Sequence, residues 1–326
     1  DEKGMKMSKS LGNTTAPQEV IGEYGADILR LWVAQSDYTV DLRIGKEILK
    51  GVADSYRRLR NTMRYMLGAL AGFSEAERVD HAQMPELERW VLHRLAELDA
   101  EVREGYAKYD FQGVFQKLFA FCTTDLSAVY FDIRKDALYC DAPDSLRRRA
   151  CRTVMDILFH RLTTWLAPVL VFTMEEVWLE RFPGADSSVH LVDFPETPKG
   201  WRDAALAAKW ETIREARRAV TGALEVQRTA KVIGASLEAA PEVFVSPVLA
   251  GLLHGVDFAE LCITSDVKLS TGAAPDGAFT LPDVPEVAVV FRPAPGAKCE
   301  RCWRVLPDVG THRHPGTCQR CNDALG

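Results

Sequence analysis

Apolar residues recur at helical spacing through the first two thirds of the chain. Ile48, Leu49, Val52, Tyr56, Leu59, Met63, Met66, Leu67 and Leu70 share one face and predict a helix over 46–70. Arg57, Arg60, Asn61 and Arg64 fall at i, i+3, i+4 and i+7, on the opposite face. A helix over 16–35 is predicted from Pro17 in its first turn and a stripe of Val20, Tyr24, Ile28, Leu31 and Trp32. A linker with Gly72, Asp80 and Pro85 follows. Four further helices are then expected. The first, 86–105, turns Leu87, Trp90, Val91, Leu95 and Leu98 inward. The second, about 110–134, carries Phe111, Phe115, Phe119, Phe121, Tyr130 and Phe131, which at this spacing belong to a core. The third, 144–166, is ended or kinked by Pro168 and continues from Thr173, where Thr173-x-x-Glu176 has the form of a capping box. The fourth spans 201–228, and together they predict a helical bundle.

From about residue 232 the pattern changes. Segments 242–246, 258–264 and 284–292 are rich in Val, Ile and Phe and bounded by Pro and Gly, with a short helix at 247–254 between the first two. This is a small α/β unit. Pro293, Pro295 and Gly296 then lead into a cysteine-rich end. The expected fold is mainly α: a helical bundle, a small α/β unit, and a C-terminal four-Cys zinc knuckle.

The knuckle rests on spacing. Cys299 and Cys302 form one pair and Cys318 and Cys321 another, each with two residues between, and fifteen residues separate the pairs. Two tight turns can aim four sulfurs at one ion, the tetrahedral site zinc prefers. Disulfides and a redox pair are the competing readings. No secretory leader points to an oxidising compartment, and Cys122, Cys140, Cys151 and Cys262 lie singly among mostly apolar residues. Four thiolates would close the coordination shell, making the ion structural. His312 and His314 lie between the pairs; each could replace a thiolate, but ligand spacing favours reading them as surface or RNA-facing groups. About thirty residues bury little core, so metal binding would supply the folding energy.

Charge alters this picture only locally. The net charge of −6 over 326 residues does not by itself indicate nucleic-acid binding. Between Arg43 and Arg64, however, seven basic residues face two acidic ones. That stripe is either a solvated helix face or a rail along a phosphate backbone. Arg147, Arg148 and Arg149 sit near a helix start, the unfavourable end for cations, and call for compensating neighbours or an anionic partner. No apolar run reaches membrane-spanning length. The chain opens Asp1-Glu2-Lys3-Gly4 without a Met, which is expected of a piece of a longer protein.

Residues 1–14 combine Gly, Ser, Lys and Asn around two Met and are expected to be a mobile loop. Lys6 and Lys9, flanked by Ser8 and Ser10, supply the ammonium and hydroxyl groups that hold a triphosphate and stabilise departing pyrophosphate. A solvated tail has the same composition.

These residues carry a family resemblance. Lys6-Met7-Ser8-Lys9-Ser10, followed by Leu11-Gly12-Asn13, resembles the second signature of class I aminoacyl-tRNA synthetases. YRRLRNTMRYMLGAL (56–70), DLSAVYFDIRKDALYCD (125–141), LAPVLVFTMEEVW (166–178) and KCERCWR (298–304) are similar to the bacterial isoleucine enzymes, and the four-Cys end narrows the resemblance to them. It implies ATP contact at Lys6, Ser8, Lys9 and Ser10, with Lys6 and Lys9 catalytic in amino-acid activation. It also implies tRNA contact at Arg57, Arg60, Asn61, Arg64, Trp303 and Arg304, with Trp303 either stacking on a base or packing the knuckle. The implied organisation is a catalytic-core loop at 1–14, stem-contact helices at 15–72, an anticodon-binding helical bundle at 85–231, an α/β junction unit at 232–297 and the zinc knuckle at 298–326. The implied partners are tRNA(Ile), ATP and isoleucine, with one structural zinc, and Mg in the full-length enzyme, in the cytoplasm. The family's first signature, His-x-Gly-His, does not occur in this sequence, so the isolated chain is expected to bind tRNA without activating isoleucine. The alternative is a free-standing zinc-containing RNA-binding or scaffold module.

Overall fold

The computed structural model describes residues 1–326. The chain divides into two compact units, residues 1–132 with 150–202, and residues 133–149 with 203–326. In chain order the helices are α1 (Pro17–Tyr24), α2 (Ala26–Gln35), α3 (Lys46–Ala69), α4 (Glu86–Ala107), α5 (Phe111–Ala120), α6 (Asp132–Cys140), α7 (Leu146–Leu166), α8 (Val171–Arg181), α9 (Ala204–Thr229), α10 (Pro247–Leu253), α11 (Phe258–Cys262) and α12 (Gln319–Leu325). The strands are β1 (Glu242–Val245), β2 (Lys268–Ser270), β3 (Phe279–Leu281), β4 (Val284–Val290), β5 (Ala297–Lys298) and β6 (Val305–Leu306). No helix is long and apolar enough to cross a membrane.

The first unit is helical. Its core is built from the apolar faces of α3, α4 and α7, with Leu59, Met63, Met66, Leu95, Phe159 and Trp165 out of contact with water. The expected helix over 16–35 is in fact two. Gly25, at φ 89°, caps α1 and starts α2, a conformation that would strain any residue with a Cβ. The aromatic-rich stretch also departs from a single α-helix. Between α5 and α6, residues Phe121–Phe131 wind as a π-helix. This wider turn keeps Phe121, Leu126, Val129 and Tyr130 buried together, while the Tyr130 hydroxyl donates to the buried carboxylate of Glu88 at 3.1 Å.

The expected capping box at Thr173 does not form. Helix α8 starts two residues earlier, at Val171, and its N-cap, Leu170, has no capping side chain. The cap comes from α2 instead. Asp27 accepts from the Thr173 N–H at 2.7 Å, the Thr173 hydroxyl at 2.6 Å and the Phe172 N–H at 3.3 Å. Since Thr173 donates to Asp27, its hydroxyl accepts from Tyr56 of α3, at 2.9 Å. A buried carboxylate thus satisfies a helix N-terminus that would otherwise hold unpaired N–H groups, and the helix dipole favours it there. The turn before α8 is held by Arg30, which donates to the carbonyls of Pro168 (2.8 Å) and Val169 (3.0 Å).

In the second unit, β2-β1-β4-β3 form one sheet, with β1 parallel to β2 and antiparallel to β4. Gly222 of α9 lies where an added Cβ would meet the Phe279 ring at 3.2 Å, so helix and sheet approach closely. Segment 258–264 does not add a strand. Residues Phe258–Cys262 form helix α11, started by Asp257, which accepts from the Glu260 N–H at 2.8 Å, and ended by Ile263 at φ 56°. The local capping bond outweighs a composition that suits strands. Neighbours compensate Arg147 at the start of α7: it pairs with Asp141 at 2.6 Å and Glu260 at 2.9 Å.

Candidate metal centre and nucleic-acid interface

The four cysteines arrive on two local structures. Cys299 and Cys302 lie on the turn between β5 and β6. That turn is closed by Trp303 N–H to Cys299 carbonyl (2.9 Å) and Cys299 N–H to Arg304 carbonyl (2.8 Å). Cys318 is the N-cap of α12 and Cys321 lies in its first turn. All four sulfurs lie within 4.8 Å of one another, and Cys302 and Cys318 are 3.7 Å apart. With Zn–S near 2.3 Å, the edge of a tetrahedral four-thiolate site is about 3.8 Å. The sulfur geometry therefore fits zinc. Burial pushes the Cys299 thiol up, but the backbone N–H groups of Cys302, Cys318 and Arg301 together bring it down to about 6. Burial pushes Cys302 up to about 11, with Cys318 and Cys299 adding to the rise. His312 is not among the converging groups; it faces Asp308 at 3.1 Å.

Two features of this region carried no sequence signal. Cys140, expected to lie apart, packs in the same buried cluster as the four cysteines. The knuckle is also fastened by its own arginines. Arg320 donates to Asp136 at 2.8 Å, and Arg301 to the carbonyls of Tyr139 (3.2 Å) and Cys140. Burial would raise Asp136, yet Arg320, Arg147 and Arg304 hold its carboxyl below the usual range. Arg304 turns inward as well, donating to the Ser265 carbonyl at 2.5 Å. Trp303 points outward. It is 62% exposed, sits at φ 65° and has the Lys298 ammonium 5.6 Å from its ring centroid.

At the other end of the chain, the segment expected to be a mobile loop is a hydrogen-bonded turn. Ser8 caps a short 3₁₀ turn at Lys9–Leu11, its Oγ accepting from the Leu11 N–H at 3.2 Å, and Gly12 ends it at φ 64°. Asn13 accepts from the Ser8 N–H at 2.9 Å and donates to Asp1 at 2.9 Å and the Lys6 carbonyl at 3.2 Å. Ser8 and Ser10 hydroxyls meet at 3.1 Å. Lys6 and Lys9 are exposed.

The basic stripe lies where its spacing places it. Arg57, Arg60, Asn61 and Arg64 all face solvent along α3. Arg57 is tied to Asp54 at 2.5 Å, one turn away.

The comparisons follow the same order along the chain. The model of tRNA synthetases class I (I, L, M and V) matches residues 1–45, that of the anticodon-binding domain of tRNA ligases residues 88–243, and that of the zinc finger found in FPG and IleRS residues 296–324. An isoleucine–tRNA ligase from Ruegeria pomeroyi is 66% identical over 328 residues, covering 100% of this chain and 34% of its own length. One from Brucella abortus is 57% identical over 311 residues, covering 95% of this chain and 32% of its own length. The chain thus spans about a third of the length of these relatives. A solved LeuRS–tRNA–LeuAMS complex from Agrobacterium radiobacter aligns over 62% of this chain and 23% of its own, at 19% identity and a TM-score of 0.49, too slight a likeness to argue from. The family matches and the whole-length identity agree: the chain matches the anticodon-binding and zinc-finger part of isoleucine–tRNA ligases.

Proposed function

We propose that the chain is the tRNA-handling part of a cytoplasmic enzyme that joins isoleucine to tRNA(Ile) with ATP. The observation that carries this is the 66% identity to an isoleucine–tRNA ligase along the whole chain. The segments keep the roles the sequence suggests: catalytic-core loop at 1–14, stem contact at 15–72, anticodon binding at 85–231, junction at 232–297 and zinc knuckle at 298–326. Cys299, Cys302, Cys318 and Cys321 would hold one zinc ion. Four sulfurs leave no open position for water, so the ion would supply folding energy and no chemistry.

Lys6 and Lys9 face solvent on a turn whose backbone is already fixed, a suitable arrangement for meeting triphosphate oxygens. There, with Ser8, Ser10 and the Mg of the full-length enzyme, they would stabilise charge on pyrophosphate as the isoleucine carboxylate attacks the α-phosphate. On α3, Arg60, Asn61 and Arg64 would run along tRNA phosphates, with Arg57 joining at the expense of its Asp54 pair. Trp303 offers an exposed ring for base stacking. Arg304, half-buried and donating to the Ser265 carbonyl, would support the turn that presents Trp303 to RNA.

Binding of the chain to tRNA(Ile), and to the same tRNA with a changed anticodon, at several salt concentrations is the test. We expect salt-sensitive binding that favours the native anticodon, and no isoleucine-dependent pyrophosphate exchange by the chain alone. Each phosphate contact contributes roughly 0.7–0.9 to the slope of log affinity against log salt. Arg60→Ala with Arg64→Ala should therefore flatten that slope by about 1.5. An unchanged slope would return α3 to plain solvated surface, and absence of tRNA binding would refute the function.

A further inference from the structure

Cys140 is the one cysteine from outside the knuckle that packs in its sulfur cluster; Cys122, Cys151 and Cys262 are buried elsewhere. It does not converge with the four sulfurs, and its Sγ donates to the Arg301 carbonyl at 3.6 Å. That carbonyl belongs to the peptide bond leading into Cys302. Four thiolates fill a tetrahedral shell, so a fifth sulfur has no place on the ion. We propose that Cys140 is a resolving thiol: when a hydroperoxide oxidises Cys302, Cys140 closes a disulfide with it. This rests on the zinc centre proposed above.

Three observations single out this pair. First, Cys302 is the most exposed of the four knuckle cysteines, at 6% against 2% for Cys318 and 0% for Cys299 and Cys321, so a small oxidant from solvent meets it first. Second, Cys140 is held at the knuckle by bonds that need no metal. Arg320 pairs with Asp136, one turn earlier on α6, and Arg301 donates to the carbonyls of Tyr139 and Cys140. Cys140 therefore stays beside the site as the site opens. Third, zinc would restrain the other three thiolates, whereas the Cys140 sulfur is tied by a weak S–H bond. In the first step the Cys302 thiolate attacks one oxygen of hydrogen peroxide, the O–O bond breaks, and hydroxide leaves a sulfenic acid behind. In the second the Cys140 sulfur attacks the sulfenic sulfur and the S–O bond breaks, the thiol proton leaving with the hydroxyl as water. Two electrons pass from the two sulfurs to one peroxide. The site, short of one thiolate, releases its zinc, and the knuckle stays tethered to α6. Thiol reduction restores both cysteines, whereas an unresolved sulfenic acid goes on to sulfinic and sulfonic acids that thiols do not reduce.

Peptide mapping gives a direct test, because trypsin places Cys140 and each knuckle cysteine on separate peptides: 136–147, 299–301, 302–304, 314–320 and 321–326. The whole zinc-loaded chain is titrated with hydrogen peroxide while a chromogenic chelator reports released zinc. Samples are alkylated without reduction, digested and mapped by mass spectrometry. We expect peptides 136–147 and 302–304 to become joined in step with zinc release, with Cys122, Cys151 and Cys262 still alkylated. Cys140→Ser keeps a donor for the Arg301 carbonyl and should bind zinc before oxidation as wild type does. After peroxide and then dithiothreitol it should recover roughly threefold less zinc than wild type, with Cys302 found as sulfinic or sulfonic acid. Zinc release with Cys140 still alkylated, or with disulfides confined to the four knuckle cysteines, would overturn the resolving role and leave the metal centre standing. That map is made on wild type and needs no variant to fold. Equal zinc recovery by wild type and Cys140→Ser would overturn the resolving role as well. A chain that takes up no zinc before oxidation would refute the metal centre and the resolving role together.

Discussion

The zinc knuckle and the N-terminal signature turn are both short segments without a large apolar core, yet they solve that problem in opposite ways. In the knuckle, the chemically distinctive side chains turn inward. Four thiols converge, and Arg301, Arg304 and Arg320 spend donors on holding the knuckle to residues 136–141 and Ser265. In the signature turn, the backbone is fixed by Asp1, Ser8 and Asn13, and the lysines are left facing water. One segment uses its reactive groups to exist. The other leaves them facing water. The knuckle should therefore fail when its signature residues change, and the turn should not.

The largest expected effect is on the metal. Structural zinc in small domains contributes on the order of 10–16 kcal/mol. Chelation, Cys299→Ala or Cys321→Ala should remove the bound zinc and unfold the knuckle while the bundle stays helical. Metal analysis and circular dichroism read both, and unchanged zinc in the two variants would end the four-thiolate assignment. Next in size is the fastening. Arg320→Ala leaves Asp136 half-buried beside a lost partner and should cost about 2–3 kcal/mol, part of it recovered when Asp136→Ala is added. A double-mutant cycle showing no coupling would make this pair incidental. The smallest effects belong to the signature turn. Asn13→Ala should cost no more than about 1 kcal/mol, and Lys6→Ala or Lys9→Ala should leave melting temperature unchanged within error. A clear loss of stability in either lysine variant would break the contrast between the two segments.

Periodic and short-range features were legible in the sequence. The inward face expected for α3 is buried or half-buried at every named position, and its four polar residues face solvent. The paired cysteines converge as their spacing implies. What escaped is of two kinds. Some changes were local but had no periodic mark: the break at Gly25, the π-helix over Phe121–Phe131 and the helical fold of Phe258–Cys262. Others depend on residues far apart in the chain. Thr173 matched a local capping pattern, but the carboxylate that caps α8 lies on α2. Cys140 is far from the four knuckle cysteines in sequence and adjacent in space. Arg304 was expected at an RNA surface on the strength of its motif, and its contact with Ser265 could not be read from neighbouring residues. Long-range partners leave no spacing for a sequence pattern to reveal.

The cap supplied by Asp27 also has a meaning in time. The residues it joins are 146 positions apart. At about 5–20 residues per second, synthesis delivers Thr173 roughly 7–30 seconds after Asp27. Through that interval α2 carries a carboxylate whose partner does not yet exist, and α8 has no cap from its own sequence until it meets α2. The last helix of this unit to leave the ribosome is therefore completed by one of the first, and the two ends of the unit reach their final state together.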